Sequence, residues 1–254
     1  MMKINKFLDR FFIKKSDFAS LTIVGVGPGD SSLLTIAAVK AINKANVIVF
    51  PIASDDKKSS AAEIVKEYIK FKKKIPIIFP MARQEFDPDE IWSNAVDTIV
   101  KSIKNYKSVA LLCLGDTSLF ASSSNIVRII KNKHPEIITR TIPGISSISA
   151  AAALSNFNLA NKGETLIIKE CPSHKQELVD LISINKEKKT VLVLMKVGKR
   201  WEWVKNLLKK EDIISKSVIA INVGMPNQIV QEVSTFDLNK VPYFSLLLVR
   251  FDDD

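Results

Sequence analysis

Short apolar runs alternate with amphipathic stretches along most of this chain. LTIVGV, from Leu21, is apolar at nearly every position and predicts a strand buried on both faces. Residues 31–43 then place Leu33, Leu34, Ala37, Ala41 and Ile42 at helical spacing. The strand pattern returns in NVIVF (46–50), IPIIF (75–79) and SVALLCL (108–114), and the helical pattern in 59–71, 88–104 and 118–132. A short strand is predicted over 137–142. Strands apolar on both faces, alternating with helices, predict a mostly parallel sheet covered on both sides.

After Pro143-Gly144 the texture changes. ISSISAAAALS predicts a helix of small residues. TLIIK (165–169), TVLVLM (190–195), SVIAINV (217–223), QIVQEVS (228–234) and YFSLLLV (243–249) predict strands, with helices between the first few. A hairpin-like connection near Gly224–Asn227 predicts some antiparallel pairing. The predicted organisation is an extension over 1–20, an N-terminal α/β domain over 21–145 and a C-terminal α/β domain over 146–254. In the extension Phe7, Leu8, Phe11 and Phe12 lie at helical spacing. Asp9 and Arg10 interrupt the apolar core that a signal peptide needs.

Composition narrows the class. Of 254 residues, 46% are hydrophobic and 25% charged, which suits a globular chain and not a disordered one. Two cysteines (Cys113, Cys171) and two histidines (His134, His174) exclude a disulfide framework and a multi-cysteine zinc site. A reducing, cytoplasmic setting is the expectation. No stretch of 18 apolar residues occurs, so no membrane span is expected. The net charge of +10, nearly all of it from lysine, suits an anionic partner but equally a lysine-biased composition.

Three glycine turns are the chemical candidates. Gly25-Val26-Gly27-Pro28-Gly29-Asp30 lies between a predicted strand and helix. It departs from the dinucleotide fingerprint: position 30 is Asp, Pro28 removes an amide, and Val47–Phe50 carries no acid for a ribose. No Gly-Lys-Ser/Thr occurs, which excludes a Walker loop. Leu114-Gly115-Asp116-Thr117-Ser118-Leu119-Phe120 follows the fourth strand, at the sheet edge where open α/β folds bind ligands. Taken alone, Asp116 could equally cap the next helix. The third is Pro143-Gly144-Ile145-Ser146-Ser147, ahead of the alanine run.

In this order and spacing, GVGPGDSSLLT, LGDTSLF and PGISS resemble the tetrapyrrole methylase family, and the resemblance covers about residues 21–250. It implies two α/β domains, a mostly parallel sheet in the first and a mixed sheet in the second. It further implies S-adenosylmethionine, which leaves as S-adenosylhomocysteine, held in the cleft between them without a metal. Ser59–Ile64, Phe79-Pro80-Met81, Gly144–Ala152, Met195–Gly198 and Val223–Pro226 resemble the branch that methylates carbon 20 of precorrin-2. Within that branch the alternative is the cobalt-loaded substrate. One departure is visible, since Thr117 stands where many relatives have proline.

Carried over by position, the resemblance implies cofactor contacts at Pro28, Leu114, Gly115, Asp116, Leu119, Ser146, Ser147, Met195 and Gly224. A sulfonium methyl is already electrophilic, so no dedicated base is expected, and Asp116 is the one weak candidate for helping a proton leave. The implied substrate is a tetrapyrrole polycarboxylate. Arg83 is the first candidate to pair with it, because guanidinium matches carboxylate bidentately; Lys196, Lys199 and Arg200 follow. A homodimer is implied, with neither nucleic acid nor membrane as partner. Two other classes stay open: a same-fold methyltransferase acting on ribosomal RNA, which the basic balance would suit, and a non-enzymatic basic binding module.

Overall fold

Five strands make the first sheet. They are β1 (Ser20–Gly25), β2 (Val47–Ile52), β3 (Lys73–Ile78), β4 (Ser108–Cys113) and β5 (Ile138–Ile142), in the order β3-β2-β4-β1-β5. The sheet is parallel, and its central strands are buried on both faces: Val47, Ile48 and Val49 are all fully buried. Pro76 sits in β3, an edge strand, where a missing amide costs no ladder bond. The structure, a computed structural model, describes residues 20–53, 58–79 and 88–251.

Helices α1 (Ile36–Lys44), α2 (Ser60–Ile64), α3 (Pro88–Tyr106) and α4 (Ser123–Lys133) alternate with these strands. Lys72 Nζ donates to the Asn43 and Ala45 carbonyls at 2.9 and 2.8 Å, satisfying the end of α1 with a cation where the helix dipole favours one. The core joins Ile23, Val49 and Leu111 of the sheet to Val96, Ile99, Ile103 and Ile126 of the helices. Each fully buried Ile or Leu of this kind contributes about 1.5–3 kcal/mol.

Three predicted helices start late or stop early, each for a local reason. Asp30 captures the Ser32 amide at 2.7 Å, so residues 31–33 form a 3₁₀ turn and α1 starts only at Ile36. Past Ile64 the chain tightens into three-residue bonds, Lys66 to Glu63 and Tyr68 to Val65, so the helix expected to reach 71 is short. Asp116 holds the Ser118 amide and Phe120 is left-handed (φ +50°), so α4 begins at Ser123 instead of near 118.

The second sheet is mixed, in the order β6-β7-β10-β8-β9. Its strands are β6 (Thr165–Glu170), β7 (Thr190–Met195), β8 (Ser217–Ile221), β9 (Ile229–Glu232) and β10 (Ser245–Arg250). β6 runs parallel to β7, while β10 is antiparallel to both β7 and β8, and β8 to β9. α5 (Ser147–Leu154) with Leu246 and Leu248 builds one core, and α6 (Lys175–Asn185) and α7 (Trp201–Lys210) build another. Trp201 anchors the latter: it is fully buried, its Nε1 donates to the Leu238 carbonyl at 2.8 Å, and its ring meets Phe236 edge-on at 5.6 Å. Trp201→Ala is expected to cost about 3–5 kcal/mol, read by denaturant unfolding, with Trp201→Phe costing less.

The described residues form two compact units. One holds residues 20–24, 37–113 and 120–142, and the other holds 25–36, 114–119 and 143–251. The first two glycine turns therefore pack with the second unit although first-sheet strands lead into them. No helix among the described residues is long and apolar enough to cross a membrane.

Candidate functional site

β4, β1 and β5 are neighbours in the first sheet, and a glycine turn leaves the carboxyl end of each. In a parallel sheet those ends lie together, so the topology converges three loops separated by up to 119 residues, from Gly25 to Gly144. Gly27 and Gly115 exchange backbone hydrogen bonds, Gly115 N to Gly27 O at 2.8 Å and Gly27 N to Gly115 O at 3.2 Å. A Cβ at Gly25 would lie 2.5 Å from the Gly144 nitrogen and 3.0 Å from the Gly115 oxygen. Only glycine lets these backbones approach so closely. A fourth segment joins from the β8–β9 connection, where Gly29 lies directly against Gly224 and Met225.

Asp116 fastens this junction. Its Oδ1 accepts from the Ser118 amide at 2.8 Å and from the Ser118 hydroxyl, and its Oδ2 accepts from the Gly144 amide at 3.0 Å. Partial burial pushes its pKa up, but the bonds from Ser118, Gly144 and Thr117 together outweigh that and hold the carboxyl below the usual aspartate range. Asp116 is thus not the cap of α4, whose N-cap position is Ser122; both of its carboxylate oxygens accept hydrogen bonds within the junction. Thr117, beside it, is buried.

The other residues expected to contact a cofactor are placed as follows. Pro28 is buried in the first turn, and Leu114 and Gly115 are half-buried. Ser146 caps α5, accepting from the Ser149 amide at 3.1 Å, and Ser147 opens that helix. Leu119 and Met195 pack on one apolar cluster with Leu33, Ile145 and Ile148. Residues without a sequence signal join them. Gln228 Oε1 accepts from the Gly224 amide at 2.6 Å, and Met225 Cγ lies against Gly29.

The expected substrate cations fall out differently. Arg83 lies outside the described residues. Lys196 follows Met195 in a left-handed conformation (φ +58°), and its ammonium lies 2.5 Å from Glu170 Oε1. Burial lowers its pKa, but Glu170 and Tyr243 outweigh this and hold the ammonium above the usual lysine value. Lys199 is exposed. Arg200 donates to the Ser173 hydroxyl at 3.0 Å and the Lys196 carbonyl at 3.4 Å, both neutral groups. Burial pushes the nearby Cys171 thiol up to about 11, with Arg200 only partly opposing it, so Cys171 is a neutral thiol at pH 7.

Among the described residues, no three His, Cys, Asp or Glu side chains group as metal ligands. Across the three turns and residues 222–228 the only charged side chains are Asp30 and Asp116. Two carboxylates without a lysine or arginine suit a cationic ligand better than a phosphate. Tightly packed glycine backbone at the carboxyl edge of a parallel sheet is where open α/β folds bind small ligands. The comparisons agree: residues 20–239 match the Tetrapyrrole (Corrin/Porphyrin) Methylases, and the chain belongs to that family.

A probable cobalt-precorrin-2 C(20)-methyltransferase of Methanocaldococcus jannaschii is 32% identical over 77% of this chain and 84% of its own. A precorrin-2 C(20)-methyltransferase of a Sinorhizobium species is 24% identical over 89% and 93%. The fold matches the crystal structure of a putative cobalamin synthesis related protein (CobF) of Corynebacterium diphtheriae. There the TM-score is 0.68 and the identity 17%, over 93% of this chain and all of the other.

Proposed function

We propose that this protein is a methyltransferase that uses S-adenosylmethionine to methylate carbon 20 of a precorrin-2-type macrocycle in cobalamin biosynthesis. The observation that carries the reading is the junction of the three glycine turns, fastened by Asp116, in a chain of the tetrapyrrole methylase family. The carbon-20 assignment rests on the names of the relatives from Methanocaldococcus jannaschii and Sinorhizobium and on the segments at Ser59–Ile64, Gly144–Ala152 and Val223–Pro226.

When bound, S-adenosylmethionine supplies a methyl group already activated by its sulfonium. The chain's own part is positional. The turns at Gly25–Gly29 and Leu114–Leu119, Ser146 and Ser147 at the start of α5, and Met195 and Gly224 hold the donor. Alignment of this kind is worth about 7–11 kcal/mol of barrier. Asp116 acts through the loops it ties, since its carboxylate is occupied by hydrogen bonds and held ionised. A proton leaving the methylated carbon passes to the substrate's own carboxylates, its ring nitrogens or water.

The metal-free substrate is the first reading. The cobalt-loaded macrocycle is the second, favoured by the higher identity to the relative named for it. Labelled S-adenosylmethionine incubated with precorrin-2, with and without cobalt, decides between them: one methyl group is expected on one of the two, located at carbon 20 by mass and NMR analysis. Transfer to neither, or to another carbon, overturns the reading. Titration calorimetry with S-adenosylhomocysteine is expected to give one site per chain. A homodimer is expected by light scattering, and a monomeric mass at working concentration refutes it. The cytoplasmic setting follows from the same reading.

A further inference from the structure

The same end of the second sheet carries an aromatic pair that the cofactor site does not use. β7 and β8 both pair antiparallel with β10, with Met195 opposite Leu246 and Ile221 opposite Ser245. The chain leaving β7 at Lys196, the chain leaving β8 at Asn222 and the chain entering β10 at Tyr243-Phe244 are therefore neighbours. Both exits are left-handed at non-glycine residues, Lys196 (φ +58°) and Asn222 (φ +51°), a conformation that persists only where surroundings enforce it. Here the enforcing contacts are visible. Asn222 N donates to the Phe244 carbonyl at 2.8 Å, and Val197 N donates to the Ser245 carbonyl at 3.1 Å. The Ser245 hydroxyl accepts from Gly198 N at 2.9 Å and donates to the Pro242 carbonyl at 2.8 Å.

On this braced turn Tyr243 and Phe244 meet edge to face, with ring centroids 5.4 Å apart, yet remain 53% and 44% exposed. Two adjacent rings in contact on a braced turn present a joined apolar surface to water, unlike an exposed side chain standing singly. Their setting says which partner. Asn222 opens the turn that carries Gly224 against Gly29, and the Phe244 backbone carbonyl is hydrogen-bonded to Asn222, which ties the pair's backbone to that turn. Lys196 is already paired with Glu170, while Arg200 donates to the neutral Ser173 hydroxyl and Lys196 carbonyl and Lys199 is exposed; both follow Gly198, where an added Cβ would lie 3.6 Å from the Tyr243 Cα, so two cations lie on the turn that packs on the aromatic pair's backbone. A flat conjugated face with carboxylates on its rim matches both features.

We propose that Tyr243 and Phe244 form an aromatic platform that positions the ring of a tetrapyrrole polycarboxylate, with Arg200 and Lys199 receiving its carboxylates. The proposal deepens, and rests on, the methyltransferase reading above. The Lys196–Glu170 pair, whose ammonium also interacts with Tyr243, is then a brace for the platform and not a substrate contact.

The test uses uroporphyrin, a planar tetrapyrrole polycarboxylate, titrated into the full chain and followed by its visible absorption, beside S-adenosylhomocysteine calorimetry. Tyr243→Ala and Phe244→Ala are each expected to weaken uroporphyrin roughly two- to tenfold, the range for losing one aromatic contact. Tyr243→Phe keeps the ring and is expected to restore binding. S-adenosylhomocysteine affinity stays at the wild-type value in all three. In turnover, the alanine variants raise KM for the macrocycle more than they lower kcat. Wild-type uroporphyrin affinity in the Tyr243→Ala, Phe244→Ala double variant overturns the platform. So does loss of both ligands together, which marks a structural role, or dissociation of a dimer with uroporphyrin binding intact. A wild type that binds uroporphyrin through these rings but methylates neither form of precorrin-2 leaves the platform standing and removes the carbon-20 reading alone.

Discussion

Gly144→Ala is expected to weaken S-adenosylhomocysteine binding by roughly ten- to a hundredfold. A Cβ on Gly144 would run into the Gly115 carbonyl oxygen and come 2.8 Å from the Gly25 carbonyl carbon. Both are backbone atoms, so no side chain can swing aside. The turns must separate, which strains the Gly27–Gly115 bridge and the Asp116 bond to Gly144. Overpacking of this kind costs about 1–3 kcal/mol or more, and about 1.4 kcal/mol is already tenfold in affinity. Gly163→Ala is the comparison: a Cβ there meets nothing within 4 Å, so its left-handed backbone (φ +87°) costs stability without touching the junction. Calorimetry and thermal unfolding on both variants separate the two effects. Wild-type affinity in Gly144→Ala would show that the glycine junction does not carry the ligand.

Asp116→Ala is expected to weaken the same binding at least tenfold while leaving macrocycle affinity little changed. It removes the acceptor of the Ser118 amide, which water can replace, and of the part-buried Gly144 amide, whose loss costs about 1–3 kcal/mol. Asp116→Asn should fall between the two. An asparagine keeps one oxygen, which can serve Ser118 or Gly144, while its NH₂ group meets a donor at the other. The pH dependence has a definite sign. The folded-state pKa of Asp116 is depressed, so its contribution is fully present above the ordinary aspartate value of about 3.9 and is lost as pH falls through the depressed folded value. The wild-type junction therefore holds through mildly acidic solution, and Asp116→Asn loses this acid-side dependence in a stability profile. If Asp116→Ala binds and turns over as the wild type does, the fastening role fails.

The α/β alternation was legible because it is local. TVLVLM is β7 to the residue, and the apolar runs at 21, 46 and 108 lie on β1, β2 and β4. The glycine turns were legible because glycine spacing after a strand is a short-range signal. Their family pattern, too, is written in contiguous residues. What escaped was the fate of polar side chains. The late start of α4 follows from Asp116 choosing Ser118 and Gly144 over the role of helix cap, and Gly144 is 28 residues away. Gly224 was expected near the cofactor by resemblance, but its contact with Gly29 spans two distant loops that no periodicity links.

The sequence by itself determined the class of fold, the three glycine turns and the family, because burial on both faces and tight backbone turns impose their own residue patterns. Only the tertiary structure decided which charges are spent. Lys196, Lys199 and Arg200 are indistinguishable as three cations in five residues, yet Glu170 from a neighbouring strand pairs with the first and leaves the third on neutral partners. Charge pairing depends on distance in space, and strand register, not spacing along the chain, sets that distance: β6 runs beside β7 with Glu170 opposite Met195.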